Sequence, residues 1–268
     1  IISDAFEGVH RIEEAIELLE QTISRAGDSS FARLLTALIR LTLASYYLSI
    51  DQDEEAYEAA MEAIDPLVAS GNLRTASRAG SLANDAAKRL HDRPKRLAAI
   101  ERALEIAKEF NAPHDVIALT RMAAKAYVDT PTGKVSEADK ERALQAVDAG
   151  STWLDSFTEE IDPQEMTFLR AGITYIKGWV YMTSHDHYPA IPLLQEAFAL
   201  QKEIKDAENY VFPLAALSQC YSELGDTDAL HNLLIEVKET IKTTSLHSGK
   251  LRTLAREIEK ELSGQDEA

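Results

Sequence analysis

Hydrophobic residues recur three and four positions apart along most of the chain, as they do on one face of an α-helix. The pattern is clear at residues 12–23, where glutamates occupy the other positions, and the stretch 31–50 is apolar on most sides. Short polar segments, such as 27–30, 51–55 and 70–72, separate these stretches. The pattern predicts an all-α protein of helices joined by short turns, with helix 31–50 buried between its neighbours.

Small residues and a tyrosine mark the contact between the first two long helices. Ala44 and Tyr47 lie one turn apart on one helix, and Ala56, Ala60 and Ala63 form a stripe along the next. Small side chains allow two helices to approach closely, and the tyrosine fills the remaining gap. We therefore expect a tight antiparallel helix pair.

This spacing recurs along the chain. Tyr127, Tyr181 and Tyr221 each follow a small residue by three positions, and they lie 80, 134 and 174 residues after Tyr47. The intervals fit a period of about 40 residues, with one interval lengthened by 14 residues, for which the polar run 129–140 largely accounts. A period of this size indicates an array of about five helix pairs with flanking helices.

Two copies of this pattern, at residues 43–60 and 177–194, resemble the tetratricopeptide repeat family. The resemblance implies a right-handed α-α superhelix that forms a single domain over residues 1–268. In this interpretation residues 1–30 are an incomplete repeat, 31–241 hold five helix pairs, and 242–268 are a capping helix and tail. The early tryptophan of the family is missing, and the period is longer than the usual one of about 34 residues, as in sensor and regulatory members.

The charge of the chain limits the class of partner. The net charge is −17 and the pI is about 4.8, which argues against general nucleic-acid binding and against adhesion to anionic membranes. Residues 74–96 differ, because seven basic residues there face only two acidic ones. The one cysteine, Cys220, excludes an internal disulfide and a cysteine zinc site.

Targeting signals are not evident in the sequence. We find no apolar run long enough to span a bilayer and no cleavable signal sequence, so we expect a cytoplasmic protein. The chain begins with Ile1 and not with methionine, which suggests a fragment or a processed product.

Catalytic and metal-binding motifs are also missing. There is no phosphate-binding loop, dinucleotide fingerprint or nucleophile elbow, so we expect no enzyme and no cofactor. His185 and His187 flank an acid, but positions two apart do not share a helical face and no third ligand lies near in sequence. The sequence therefore predicts no metal site.

In arrays of this family the first helix of each pair lines a concave groove. Counting from the tyrosines places six residues there: Lys88, Arg121, Lys125, Tyr175, Trp179 and Gln219. Arg78 or Asn84 joins them, depending on the register of the copy that has no tyrosine. In the alternative interpretation the cations at 121 and 125 pair with acids on neighbouring helices, and Trp179 belongs to the core.

The sequence thus predicts a non-catalytic domain that binds a protein or peptide through its groove, as a regulatory or scaffolding part of a larger protein. The partner would carry a carboxylate or phosphate beside an apolar anchor. A domain of a bacterial regulator that senses a small molecule or signal peptide is the alternative, and an enzyme with an unrecognised site is a third. The oligomeric state stays open.

Overall fold

The computed structural model describes residues 2–130, 133–157, 161–244 and 248–265. Within these ranges it contains twelve α-helices and no strand, which confirms the all-α helical-repeat fold. The helices are α1 (Ile2–Ser24), α2 (Ser30–Ser49), α3 (Asp53–Ala69), α4 (Leu73–Arg89), α5 (Arg93–Glu109), α6 (Pro113–Val128), α7 (Glu137–Ser156), α8 (Pro163–Thr183), α9 (His187–Glu203), α10 (Val211–Leu224), α11 (Thr227–Thr243) and α12 (Ser248–Gln265).

One kind of turn joins most of these helices. In these turns the residue before the cap of the next helix has a positive φ, as in Asp51, His91, His185 and Gly225. The amide that follows then bonds back to the last turn of the finished helix, for example from Asp186 to the Tyr181 carbonyl at 2.9 Å. Such left-handed C-terminal turns reverse the chain within a few residues, so consecutive helices pack as antiparallel pairs.

The chain forms two compact units, residues 1–126 and 127–268. In the first unit α2 packs on α3 and α4 packs on α5, through small residues that are fully buried. Ala44, Ala60, Ala83 and Ala99 form one such cluster. The predicted stripe of alanines therefore lies at a helix contact, where small side chains let the backbones approach.

The second unit has a larger core of leucines and aromatic residues. Helices α8 and α9 form its first tight pair, and Gly178 of α8 lies against Leu194 of α9. Helices α10, α11 and α12 complete the core through residues such as Leu214, Leu230 and Ile258. Helix α12 packs against α10 and α11, as expected of a helix that caps the end of an array.

Helix α2 differs from the prediction in two ways. Its C-terminal half is buried at Leu43, Ala44 and Tyr47, but Leu35 and Leu38 are 44% and 41% exposed, so it is not buried on all sides. By length and composition α2 is also apolar enough to cross a membrane, a criterion that core helices and signal sequences also meet. The expectation that no run is apolar enough to span a bilayer is therefore wrong for residues 30–49.

The polar run 129–140 is only partly a loop. Helix α7 begins at Glu137, because the hydroxyl of Ser136 accepts a hydrogen bond from the Asp139 amide at 3.1 Å and caps the helix. The connecting segment is therefore 129–136, of which residues 131 and 132 lie outside the described ranges.

Candidate functional site

Helices α4 and α6 lie side by side in the first unit. The amide nitrogen of Asn84 on α4 lies 3.9 Å from the sulfur of Met122 on α6. Nearer the start of both helices, an open cavity of about 670 Å³ separates them. Its walls are Arg74, Ser77, Arg78 and Ser81 of α4 and the segment from Phe110 to Asp115. These two helices therefore form one groove within the unit.

Besides Arg89, five exposed cations lie on this pair of helices, and we call these five the basic face: Arg74, Arg78, Lys88, Arg121 and Lys125. Lys88 lies one turn beyond Asn84 on α4, and Arg121 and Lys125 lie one residue before and three residues after Met122 on α6, so all three predicted cations lie on the two helices that this contact joins. Fixed cations along a groove attract an anionic ligand.

Two cations of residues 74–96 pair with acids of the preceding helix pair. Arg89 lies 3.3 Å from Asp51 and 3.5 Å from Asp53, and Lys95 pairs with Glu54, so these two are engaged by the acidic turn between α2 and α3. Within the described residues Lys88 and Arg121 make no ion pair. Their role in binding a partner stays a prediction.

The sequence left Arg78 and Asn84 as alternative groove residues, and the structure shows which of the two is exposed. Asn84 is 3% exposed, and its carbonyl oxygen accepts a hydrogen bond from Nε of the buried Arg96 at 3.3 Å. Arg78 is exposed and lines the groove. Arg78 is therefore the surface residue of this pair, and Asn84 holds the packing of α4 on α5.

Aromatic side chains form the corresponding surface in the second unit. We call Phe168, Tyr175 and Trp179 of α8 together with Phe212 of α10 the aromatic face. The rings of Tyr175 and Phe212 lie 6.2 Å apart, and the Lys250 ammonium lies 5.7 Å from the centre of the Phe212 ring. Aromatic pairs prefer such tilted arrangements. This pair links α8 to α10, the first helices of two successive helix pairs.

The four aromatics are not equally buried. Tyr175 and Trp179 are half-buried and pack against the core of the unit, so each contributes to both core and surface. Phe168 and Phe212 are 39% and 44% exposed. An open cavity of about 470 Å³ lies beside Phe212, between the start of α10 and the start of α12. The exposed rings offer apolar surface, whereas the cavity beside them is lined in part by the polar residues Glu208, Asn209 and Lys250.

Gln219 lies on the exposed side of α10. Its amide nitrogen donates to Oε1 of Glu223, one turn further on, at 2.8 Å. Burial raises the pKa of Glu223, but the hydrogen bonds from Gln219 and His185 and the nearby His187 lower it by more, so the net pKa is below its usual value. Gln219 thus orients a carboxylate.

Extending the count from the tyrosines would have found the residues that sequence analysis missed. The count starts from the tyrosine of each copy, or from Ala87 in the copy that has none. Positions nine and thirteen before that residue lie on the same helical face as the predicted positions. They give Arg74 on α4, Phe168 on α8 and Phe212 on α10, and they also give Arg78, which the sequence had offered as an alternative to Asn84. The predicted set covered only the C-terminal half of each first helix.

Comparisons with known proteins identify the fold and no family. No family model matches the chain, and no curated protein matches it in sequence. Among solved structures, the crystal structure of the apo form of RapI has a TM-score of 0.51 at 13% identity, over 94% of this chain and 91% of that one. At this identity the likeness concerns the fold alone, and the chain is similar to RapI as a protein of helical repeats.

Proposed function

We propose that this chain is a non-catalytic binding protein that holds a protein or peptide against the exposed faces of its first helices. The aromatic face is the observation that supports this most. Exposed aromatic groups in one patch mark interaction sites, because each ring buries a large apolar area on contact. Phe168 and Phe212 supply such area beside the half-buried Tyr175 and Trp179.

The basic face supports a partner with an anionic group. Its cations lie in a chain whose net charge is −17, so they form a local exception to a strongly acidic protein. A carboxylate or phosphate on the partner would pair with Lys88, Arg121 or Lys125, and arginine can bind either group in a bidentate manner. The proposed partner therefore presents an acidic or phosphorylated group to the basic face and an apolar group to the aromatic face.

Sensing of a small molecule is a second candidate. The similar structure is that of RapI in its apo form, a description that distinguishes it from a ligand-bound form. The cavity between α4 and α6, at about 670 Å³, has the size of a typical small-molecule site. Under this candidate one cation-lined cavity would decide affinity, whereas a peptide would depend on both faces in a graded manner.

The test is a pull-down from lysate of the source cells with three variants. The first is Lys88→Glu/Arg121→Glu/Lys125→Glu, and the second is Phe168→Ala/Phe212→Ala. The control is Arg252→Glu/Arg256→Glu/Lys260→Glu, which makes the same change in charge on exposed positions of α12. Circular dichroism verifies that each variant is folded.

Peptide binding predicts one protein that the native chain and the control capture and that both other variants lose in part or in full. Equal capture by all four chains would contradict the proposal. The small-molecule candidate would be favoured by two results together. The native chain would capture no protein, and a metabolite would raise the melting temperature of the native chain but not that of Lys88→Glu/Arg121→Glu/Lys125→Glu.

A further inference from the structure

Two histidines and a glutamate meet at one end of the second unit. Nδ1 of His185 lies 2.8 Å from Oε2 of Glu223, and Nε2 of His187 lies 3.0 Å from the same oxygen. The three possible ligand atoms are all within 4.8 Å of one another. We call these residues the His–Glu cluster.

Stacking of successive helix pairs brings the cluster together. His185 has a φ of 57° in the turn between α8 and α9, and His187 is the first residue of α9. Glu223 lies 38 residues after His185, in the last turn of α10. Because His185 lies in a left-handed turn and not on the helix, the two imidazoles are free of the helical spacing that would keep them on different faces.

Two of the three spacings among these atoms are close to those of ligands around a bound divalent ion. Zinc lies about 2.0–2.2 Å from imidazole nitrogen and carboxylate oxygen, so tetrahedral ligands are separated by about 3.3 Å. The two nitrogen–oxygen distances, 2.8 and 3.0 Å, are a few tenths of an ångström shorter than this. A small retreat of the flexible Glu223 side chain, with movement of the exposed His185, would admit the ion.

The surroundings hold the ligands in place. His187 is 7% exposed, so packing fixes its ring. Its Nδ1 has no hydrogen-bond partner within the described residues, so the ring can carry its proton there while Nε2 binds an ion. Gln219 donates to the second oxygen of Glu223, and such outer contacts orient the ligands of a metal site.

We infer that His185, His187 and Glu223 bind a divalent transition-metal ion such as Zn²⁺. Two imidazoles and one carboxylate favour Zn²⁺, Co²⁺, Ni²⁺ or Cu²⁺ over Mg²⁺ and Ca²⁺, which prefer sites made of oxygen ligands. Three protein ligands leave a fourth position open, on the side where His185 is 65% exposed. The ion would join the α8–α9 turn to α10 and so link two successive helix pairs.

The test is a titration of the tag-free chain with Zn²⁺ after treatment with chelator and dialysis. Isothermal titration calorimetry should show one ion per chain, and Co²⁺ should give the visible absorption of a four-coordinate site. His185→Asn removes a ligand on the surface, and asparagine tolerates the positive φ there. We expect it to lower Zn²⁺ affinity at least about tenfold, and Gln219→Ala to lower it by about tenfold through loss of the outer contact.

His91→Asn is the matched control, because His91 lies at the same exposed turn position between α4 and α5, with a φ of 54°. It should bind Zn²⁺ as the native chain does, and Mg²⁺ should not compete in either chain. Equal Zn²⁺ affinity of the native chain and His185→Asn would overturn the inference, because the binding would then belong to scattered surface carboxylates. Absence of any one-to-one binding by the native chain would overturn it as well.

Discussion

Gly80 of α4 lies so close to Ala103 of α5 that a Cβ atom built on the glycine would be 2.5 Å from the Cβ of Ala103. The same atom would be 3.2 Å from the Ala103 Cα and from the Ala99 carbonyl oxygen. These are backbone atoms and a Cβ, which cannot rotate away. The first unit therefore depends on a hydrogen at position 80 for the contact between its helices.

Gly80→Ala should destabilise the chain by about 1–2 kcal/mol, because overpacking of about 1–3 kcal/mol exceeds the gain of about 0.5–1 kcal/mol from replacing a helical glycine. Gly178→Ala should cost less, since the nearest atom there, Leu194 Cγ, lies 2.9 Å from the added Cβ and not 2.5 Å. Urea unfolding followed by circular dichroism measures the free energy of unfolding.

Gly249→Ala is the control for these substitutions, because no atom lies within 4 Å of the Cβ position there. It should leave stability unchanged or raise it by a few tenths of a kcal/mol. If Gly80→Ala were as stable as Gly249→Ala, that result would contradict the close approach of α4 and α5 at Gly80.

Tyr47→Phe should lower the free energy of unfolding by about 1 kcal/mol. The Tyr47 hydroxyl donates to the Glu20 carboxylate, and the ring is 8% exposed. Burial and this hydrogen bond both raise the pKa of the tyrosine, so the neutral donor persists at neutral pH. The matched control is Tyr46→Phe, at the preceding residue, which is half-buried. An equal loss of stability in both variants would argue against a specific role for the Tyr47–Glu20 hydrogen bond.

Cys220 should not react with a thiol reagent at about pH 8 in the native chain but should react once urea unfolds it. The thiol is fully buried, and burial first, then the charge of Glu223, raise its pKa from 9.0 to about 11. A raised pKa in the folded state means that the thiol stabilises the fold fully below its ordinary pKa. That contribution is lost as the pH rises from about 9 towards 11. Rapid labelling of the native chain, measured by absorbance, would contradict this.

Asp226→Ala should cost about 1 kcal/mol of stability, whereas Asp186→Ala should cost less in the presence of chelator. Both aspartates precede a helix at the equivalent position of consecutive pairs. Asp226 accepts a hydrogen bond from the Ala229 amide at 3.0 Å, and the Asp186 side chain makes no capping hydrogen bond. Thermal unfolding of the two variants compares them, and a reversed order would show that the caps do not differ as described.

Periodicity made most of the helix pairs predictable. The spacing of small residues and tyrosines sets which faces of α2–α5, α8 and α9 meet, and those faces are buried in the structure. The exposure of Leu35 and Leu38 was not predictable in this way, because an apolar face indicates a contact only where a neighbouring helix reaches it. The hydrophobic pattern of α2 does not show which part of this helix its neighbour α1 covers.

The candidate surfaces were predictable only in part, for a related reason. The tyrosine register placed Lys88, Arg121 and Lys125 on exposed positions, but it did not choose between Arg78 and Asn84. That choice depends on the hydrogen bond from Arg96, a tertiary contact. Glu223 was missed as a neighbour of His185 because 38 residues separate them, and only the stacking of two helix pairs brings them together.

The pairing of Arg89 and Lys95 with the acidic turn at residues 51–54 restricts how this array could be rearranged. The α2–α3 pair carries acids at residues 51–54, and the α4–α5 pair carries the bases Arg89 and Lys95 around its own turn. Duplication of either copy in tandem would set like charges against each other, at a cost that salt screens only partly. The two copies therefore share one architecture but carry opposite charges where they meet, so their order along the chain matters for these ion pairs.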